Sequence, residues 1–168
     1  MPKVQRFFLE LKKDKKLNQS IIFPKNAKIF LDTEKNINLN KFFYRQIGKD
    51  HFWRDRLLWT DTEWEKYINK KNLEIGIMKI NEDLVGFYEQ EFHRSKNEIE
   101  LIQMGILKEF QGKKLGSCLL KHIIKSAFDK NVERLWVHTC SLDHKYALNN
   151  YLSKGLSIFK EEEINFVL

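Results

Sequence analysis

The sequence contains little cysteine, proline or glycine and no long apolar run. Its 168 residues include only 2 Cys, 2 Pro and 7 Gly. Cys118 and Cys140 belong to no Cys-x-x-Cys pair, so we expect neither a disulfide framework nor a bound metal. No apolar stretch approaches the roughly 18 residues of a membrane span, and the N-terminus lacks the apolar core of a signal peptide. We therefore predict a cytoplasmic location.

The chain does contain enough apolar material for one packed domain. Hydrophobic residues make up 42% of it, including 13 Phe, 4 Trp and 5 Tyr. A chain of this length predicts a single domain and can bury about 70% of its unfolded surface. We find no internal repeat and no linker-like segment, and so we predict one domain over residues 1–168.

Positive charge is concentrated in two segments. The formal net charge is +7; residues 1–26 hold seven Lys or Arg and two acids, and residues 108–134 hold seven and three. Such an excess is typical of a surface that binds nucleic acid, an anionic membrane or a phosphate-bearing ligand, and also of a plain solvated surface. No RNA- or DNA-binding signature accompanies the charge, so a basic nucleic-acid-binding protein is the weakest functional alternative, and we expect neither nucleic acid nor membrane as a partner.

The periodicity of apolar residues predicts a mixed α and β domain. An aromatic and basic segment, 51–59, continues the first helix, and Thr60 or Thr62 with acids nearby predicts the start of the second. Residues 27–32 are either extended or an entry into helix. The predicted strands are 4–11, 73–80, 84–92, 98–107, 134–140 and 156–167, and the predicted helices are 38–47, 60–72, 115–128 and 145–153.

The junction between a strand and a helix at residues 106–120 carries the most chemical information. Gly112 and Gly116 bracket a turn that leads into the helix, and Lys113 and Lys114 add charge there. A helix start has unpaired N–H groups and a positive dipole end, both of which favour a phosphate. The spacing fits neither a Walker A loop nor Gly-x-Gly-x-x-Gly. From the residues alone, an ordinary turn and a phosphate-binding loop remain equally open.

The same segment resembles the acetyl-CoA-binding motif of the GNAT N-acetyltransferase superfamily, Gln/Arg-x-x-Gly-x-Gly/Ala. Gln111 matches its first position and Gly116 its last, but Lys114 stands where the first glycine is usual. The family's second motif, Ala-Leu-x-x-Tyr-x-x-x-Gly-Phe, resembles residues 147–156. Tyr151 and Gly155 match it, with Leu in place of the Phe. The resemblance covers about residues 73–160.

The resemblance implies an α/β (α+β) fold with a mixed, mostly antiparallel sheet that is splayed at its centre and flanked by helices. Residues 1–72 would form the acceptor side and residues 73–168 the acetyl-CoA-binding core. Acetyl-CoA would be the cosubstrate, held by main-chain groups of the central strand and by the phosphate loop. The implied cofactor-binding residues are Met104, Ile106, Gln111, Gly112, Lys113, Lys114, Leu115, Gly116, Ser117, His144 and Asn150.

The resemblance also implies direct transfer of an acetyl group to a primary amine. Such a transfer needs a neutral amine, a stabilised oxyanion and a proton for the departing thiolate. Glu100 falls where the family often carries its base, and Glu98 lies on the same face; either could act through a water or be a solvent-facing acid. Tyr151 matches the family's general acid, with a core aromatic as the alternative. His138 and His144 could titrate near neutral pH.

The acceptor is an amine-bearing small molecule or peptide that the sequence does not identify. The superfamily forms its acceptor pocket near the aromatic band of residues 42–59; aromatics at such spacings are more often core, but some could line the acceptor site. Arg45, Arg54 and Arg56 suggest either an anionic acceptor or a solvated helix. Because Lys114 departs from the motif, a non-catalytic acyl-CoA-binding or regulatory domain of the same fold is the main alternative. The N-terminal strand suits an interface as well as the domain, so a homodimer is compatible with the sequence.

Overall fold

The computed structural model describes residues 2–166, which form one seven-stranded mixed sheet with helices packed on it. The strands run in the order β2-β3-β4-β5-β6-β1-β7. Their bounds are β1 Lys3–Lys12, β2 Ala27–Leu31, β3 Leu73–Ile80, β4 Asp83–His93, β5 Glu98–Ile106, β6 Arg134–Cys140 and β7 Ser157–Asn165. The helices are α1 Ile37–Gly48, α2 Asp61–Ile68, α3 Leu115–Asp129 and α4 Ala147–Ser153.

Local signals in the sequence define the starts of α1 and α2. The Asn36 side chain accepts a hydrogen bond from the Leu39 N–H at the start of α1. Thr60 is the N-cap of α2, and it forms a reciprocal capping box with Glu63. Two predictions need correction: α2 ends at Ile68 rather than near residue 72, and residues 49–60 form turns rather than a helical continuation. The connection from α2 to β3 is short. This explains the earlier end of α2, because the chain must turn before the buried strand begins.

Two hydrophobic clusters lie on opposite faces of the sheet. Phe87 and Tyr88 are neighbours on β4 and therefore point to opposite faces. Phe87 stacks on Phe43 of α1, with ring centroids 5.1 Å apart, in the cluster that α1 and α2 cover. Tyr88 belongs to the cluster under α3, whose buried stripe includes Cys118, Leu119, Leu120 and Ile123. The sheet is thus covered by α3 on one face and by α1 and α2 on the other.

The sheet opens at its centre, as the sequence resemblance implied. β5 and β6 are parallel, but only Glu98–Leu101 pairs with Arg134–Val137. Beyond that point β5 stays paired with β4 up to Ile106, and β6 stays paired with β1 up to Cys140. The last part of each strand therefore has an edge without a partner strand, and the two edges face a common gap.

The N-terminal strand β1 lies between β6 and β7 and is antiparallel to both. Leu9 and Leu11 are buried under α3. Although β1 belongs to residues 1–72, it thus joins the strands of the C-terminal part of the chain. Both of its edges are paired within the chain, so it offers no free edge to a second copy. Within residues 2–166, no helix combines the length and apolar character needed to cross a membrane.

Candidate functional site

A cavity of about 870 Å³ opens where β5 and β6 separate. The cavity is lined by the ends of these two strands and by the turn before α3. The loop before α4, helix α4 itself, β1, and the turns between α1 and α2 complete its walls. Cavities of a few hundred to about 1,000 Å³ are typical of ligand sites. The elements on either side of the strand gap therefore meet at a site large enough for a cofactor and an acceptor.

All but one of the residues predicted to bind the cofactor line this cavity. Tyr151, the predicted acid, also lines it. Lys113 does not, and its ammonium lies over the Phe110 ring. The predicted cofactor residues on the cavity wall are Met104, Ile106, Gln111, Gly112, Lys114, Leu115, Gly116, Ser117, His144 and Asn150.

The turn before α3 contains two residues with positive φ. Gly112 has φ +80°, and Lys114, the N-cap of α3, has φ 60° and ψ 19° in the left-handed region. Glycine adopts this region without cost, whereas a residue with a Cβ does not. The backbone conformation at residue 114 thus explains why the motif usually carries glycine there. The N–H groups of the next three residues have no partner within the helix and lie at the cavity wall.

Replacing Lys114 with Gly should raise the free energy of unfolding by about 1 kcal/mol, because the left-handed strain is removed. Urea denaturation monitored by circular dichroism would measure the change. Lys113→Gly is the matched control, since residue 113 has no positive φ and a glycine there should not stabilise the protein. An unchanged or lower stability of the Lys114→Gly variant would contradict the strain argument.

Side-chain hydrogen bonds hold the turn against its neighbours. The Gln111 Nε2 donates to the Ile106 carbonyl oxygen at 3.1 Å, which joins the turn to the end of β5. The Asn150 Nδ2 donates to the Gly116 carbonyl oxygen at 3.2 Å, which joins α4 to the first turn of α3. The cavity end near α3 is therefore a preorganised structure rather than a loose loop.

Tyr151 and His144 are in environments that set their protonation. Burial, followed by the charge of Asp143, raises the pKa of Tyr151, which is 7% exposed. Its hydroxyl consequently stays protonated at neutral pH and can donate a proton. Burial, followed by the charges of His51 and Lys145, lowers the pKa of His144 and favours its neutral form.

Asp143 organises the cavity wall, and the sequence analysis did not single it out. Its carboxylate accepts hydrogen bonds from the Thr139 hydroxyl at 2.5 Å and the Cys140 N–H at 3.0 Å. It also accepts one from the Trp53 Nε1 at 3.4 Å. An aspartate just after a strand is a common turn former, which is the signal that could have found it. Asp143 thus fixes the end of β6 and connects it to the turns after α1.

Glu98 and Glu100, the predicted bases, do not line the cavity. Glu98 accepts hydrogen bonds from Arg134, the shorter at 2.9 Å, and Glu100 contacts the His93 Nε2 at 3.0 Å. Glu91, His93 and Glu100 together offer three possible metal-ligand atoms within 4.8 Å of one another, and none of these residues lines the cavity. The placement gives neither carboxylate direct access to a bound acceptor.

A β-bulge lies on β5 between these two acids and the part of the strand that lines the cavity. Glu89 pairs with Gln103 and Gln90 with Leu101, so Ile102 is an extra residue on β5. Leu101 and Met104 both face the α3 cluster, although they are three residues apart. The alternation of side chains therefore changes phase at the bulge. Glu100 pairs with Trp136 where β5 and β6 are still joined, so it lies before the strand gap opens, on the face opposite the α3 cluster.

His138 lies on the cavity wall, where Glu98 and Glu100 do not. It lies on the unpaired part of β6, and its ring packs 5.6 Å from that of Phe8. Desolvation, followed by the charge of Arg6, lowers the pKa of His138. The imidazole is therefore neutral at pH 7 and able to accept a proton.

The basic and aromatic band divides between core and cavity. Arg56 is not part of a solvated helix and does not line the cavity: it is 6% exposed and forms a bidentate pair with Glu89 at 2.9 and 3.0 Å. Phe43 is also core. Tyr44, Phe52 and Trp53 line the cavity, together with Asp55 and His51. The turns after α1 thus supply one wall of the site.

Several solved structures share this fold at low sequence identity. An aminoglycoside acetyltransferase from an uncultured soil metagenomic sample is 16% identical, with a TM-score of 0.64 over 77% of this chain and 87% of the other. A GCN5-related N-acetyltransferase from Sphaerobacter thermophilus is 11% identical, with a TM-score of 0.70 over 96% of this chain and 50% of the other. The ribosomal-protein-S18-alanine N-acetyltransferase from Escherichia coli is 17% identical, with a TM-score of 0.59 over 77% and 76%.

A family model gives the assignment that these distant structures cannot give alone. No curated protein matches the sequence significantly. The model of the Acetyltransferase (GNAT) family matches residues 27–155, which is more than half of the chain, and spans the strand gap, the turn before α3 and helix α4. The chain belongs to the GNAT acetyltransferase family.

Proposed function

We propose that the protein transfers an acetyl group from acetyl-CoA directly to a primary amine. The observation that carries the proposal is the cavity between β5 and β6, which has a left-handed turn and helix start at one end and Tyr151 in its wall. A phosphate-binding end and a proton donor on one cavity fit a CoA thioester better than they fit a plain binding groove.

The residues present fit acetyl-CoA in two respects. The edge of β5 at residues 102–106 has no partner strand on the β6 side, so its main-chain groups are available to an extended, amide-containing pantetheine arm. The free N–H groups at the start of α3 suit the diphosphate. Acetyl-CoA supplies an activated thioester, and the chain supplies the two ends that would hold it.

Tyr151 is the proposed acid. Its hydroxyl donates a proton to the CoA sulfur as the carbon–sulfur bond breaks, while the amine nitrogen forms its bond to the acetyl carbonyl carbon. A main-chain N–H of β5 is the simplest donor to the oxyanion. The raised pKa of Tyr151 keeps this proton in place at neutral pH.

His138 is the proposed base, and Glu100 is an alternative that would act through His138 or a water. The neutral imidazole accepts the proton that the attacking amine loses. Glu100 lies close enough for its charge to raise the pKa of His138 slightly against the larger lowering effects. The amine proton is therefore transferred to His138 on β6 rather than directly to Glu100 on β5.

His138→Gln should lower kcat/KM roughly 100-fold at pH 7, the usual contribution of a positioned base. The wild-type pH profile should show an acidic limb with its midpoint below the ordinary histidine pKa, because the pKa of His138 is lowered. That limb should be absent from the variant. Glu100→Gln is the comparison. If it removes the limb and His138→Gln does not, Glu100 is the base.

The acceptor end of the cavity fits an amine-bearing small molecule or peptide. Aromatic side chains and Asp55 face it from the turns after α1, and an exposed carboxylate favours a cationic amine over an anionic acceptor. Two of the similar structures are named for acting on an aminoglycoside and on a protein alanine. Both classes contain amines and belong in the first panel of acceptors.

Thermal unfolding with acetyl-CoA, CoA and ATP tests the donor site, and an amine panel tests transfer. A ligand at 100 times its Kd adds about 2.7 kcal/mol. For a domain of this size, acetyl-CoA should therefore raise Tm by roughly 5–11 °C, with little effect from ATP. No shift at saturating acetyl-CoA would refute the proposal.

A non-catalytic acyl-CoA-binding or regulatory domain is the second candidate, because Lys114 departs from the motif. Binding of acetyl-CoA without transfer to any amine in the panel would favour it. The cytoplasmic location and the homodimer stay predictions.

A further inference from the structure

Lys154 is a buried lysine on the cavity wall that has no acidic partner. It is 8% exposed. Its Nζ donates to the Asn150 Oδ1 at 3.2 Å and to the Ser153 Oγ at 3.0 Å, both neutral oxygens. Across residues 2–166, no carboxylate lies within 4.0 Å of it. An ammonium group has three N–H donors, so one remains for a ligand.

This arrangement is costly unless something else binds there. Buried charges in proteins are normally paired, because an isolated charge loses its hydration without compensation. A lysine side chain is long enough to extend its ammonium group to solvent, and Lys154 does not. Its Nζ also donates to no carbonyl of α4, so capping of that helix does not account for it. The two hydrogen bonds thus hold the ammonium group at the cavity wall, with no acceptor from residues 2–166 for its third N–H.

The position of Lys154 connects it to the start of α3. Asn150 accepts from Lys154 through Oδ1 and donates to the Gly116 carbonyl oxygen through Nδ2. Lys154 and the residues Gly116 and Ser117 line the same cavity. Asn150 therefore links the Lys154 ammonium to the first turn of α3, on the α4 side of the cavity.

A second cation increases the positive potential at this place. Lys121, one turn along α3 from Ser117, is close enough that its charge, after the larger effect of burial, lowers the pKa of Lys154. Two lysines in proximity without an acid between them destabilise each other. An anion placed between the α3 start and α4 would remove this repulsion.

We propose that Lys154 is a phosphate-binding residue, which donates its remaining N–H to a phosphate of the acyl donor opposite the α3 amides. This inference rests on the proposed function. Two parts of CoA offer phosphate oxygens, the diphosphate and the 3′-phosphate on the ribose. The hydrogen-bonded link to Gly116 favours the diphosphate, because that is the group suited to the helix start.

Lys154→Met tests the proposal, because it keeps the chain length and removes the charge. The Kd values for CoA and dephospho-CoA would be measured by titration calorimetry, and kcat/KM would be measured with acetyl-pantetheine, which carries no phosphate. The Kd for CoA should rise roughly 10- to 100-fold, as for loss of a hydrogen bond to a charged group. Turnover of acetyl-pantetheine should not change.

Two controls separate this role from a general loss of charge or of fold. Lys125→Met removes one positive charge from the solvent-exposed part of α3 and should leave the Kd for CoA within about twofold. Lys154→Arg keeps the charge and should weaken CoA binding less than Lys154→Met. Melting curves of all variants would be recorded beside the titrations.

The outcomes distinguish the phosphates and the two proposals. Weaker binding of both CoA and dephospho-CoA would support contact with the diphosphate, and weaker binding of CoA alone would support contact with the 3′-phosphate. Equal Kd values for the wild type and Lys154→Met would overturn the inference, and so would an equal loss with acetyl-pantetheine. If the wild type bound neither CoA nor dephospho-CoA, the proposed function itself would fail.

Discussion

Changing Tyr151 to Phe should lower kcat roughly 100-fold or more while leaving the Kd for acetyl-CoA within about twofold. The hydroxyl is the only group lost, and the ring keeps its packing in the α3 cluster. Proton donation to the sulfur belongs to bond cleavage, so the loss falls on turnover rather than on binding. Steady-state kinetics with the best amine of the panel, together with a titration of acetyl-CoA, would measure both quantities.

Tyr146→Phe provides the matched control for this prediction. Tyr146 also lines the cavity but is largely exposed, at the N-cap of α4. Its hydroxyl has no place in the proposed transfer, so kcat should stay within about threefold of the wild type. An unchanged kcat in Tyr151→Phe would remove Tyr151 from the mechanism. A drop in stability without a change in kcat would assign it to the core alone.

Replacing Arg56 with Met should destabilise the protein by about 3–5 kcal/mol, because it leaves the fully buried Glu89 without its partner. Arg56 donates to both carboxylate oxygens of Glu89 and to the Tyr67 hydroxyl. Its guanidinium also lies 4.1 Å from the Tyr67 ring centroid. Urea denaturation of the variant would give the loss in unfolding free energy.

A double variant tests whether the unpaired charge causes this loss. Arg56→Met with Glu89→Gln removes both charges and should recover part of the stability, since Asn40 and Tyr67 can still hydrogen-bond the amide. Arg54→Met is the control at an exposed neighbour and should cost about 0.5 kcal/mol or less. A cost for Arg56→Met no larger than that of Arg54→Met would show that the pair contributes little.

Arg56 also links the stability of the fold to the shape of the acceptor end. It lies in the turns whose other residues, His51, Phe52, Trp53 and Asp55, line the cavity. The backbone N–H of Arg56 donates to the Tyr44 hydroxyl at 3.1 Å, which connects the turns to α1. The same variant should therefore raise KM for the amine more than KM for acetyl-CoA, provided that it is assayed well below its melting temperature.

Strong local patterns in the sequence were sufficient for most elements. β6 has the predicted bounds, and α3 agrees within one residue, because alternating buried positions specify the strand and a buried apolar stripe specifies the helix. The part of the cavity near α3 could be predicted for the same reason, since it is formed by one turn and one helix start. The acetyl-CoA and amine chemistry assigned to it stays a proposal.

Features that depend on long-range pairing were not accessible from the sequence. The bulge at Ile102 depends on the register between β4 and β5, and the position of Glu100 before the strand gap depends on the pairing of β5 with β6. Arg56 looked like a solvated charge because its partner, Glu89, is 33 residues away. Lys154 gave no signal because a lysine near a helix end is ordinary, and only its burial makes it unusual.

The position of β1 between β6 and β7 has a consequence for how the chain reaches its native state. Phe7 pairs with Thr139 on one side and with Glu161 on the other, so these contacts have very high sequence separation. Proteins dominated by such non-local contacts fold slowly, because loop closure must precede the contacts that reward it. During synthesis, β1 is made before β6 and β7 and can pair with both only after the residues between them have left the ribosome. We therefore expect the α3-facing core to assemble late and as a unit, with β1 as the strand whose docking completes it.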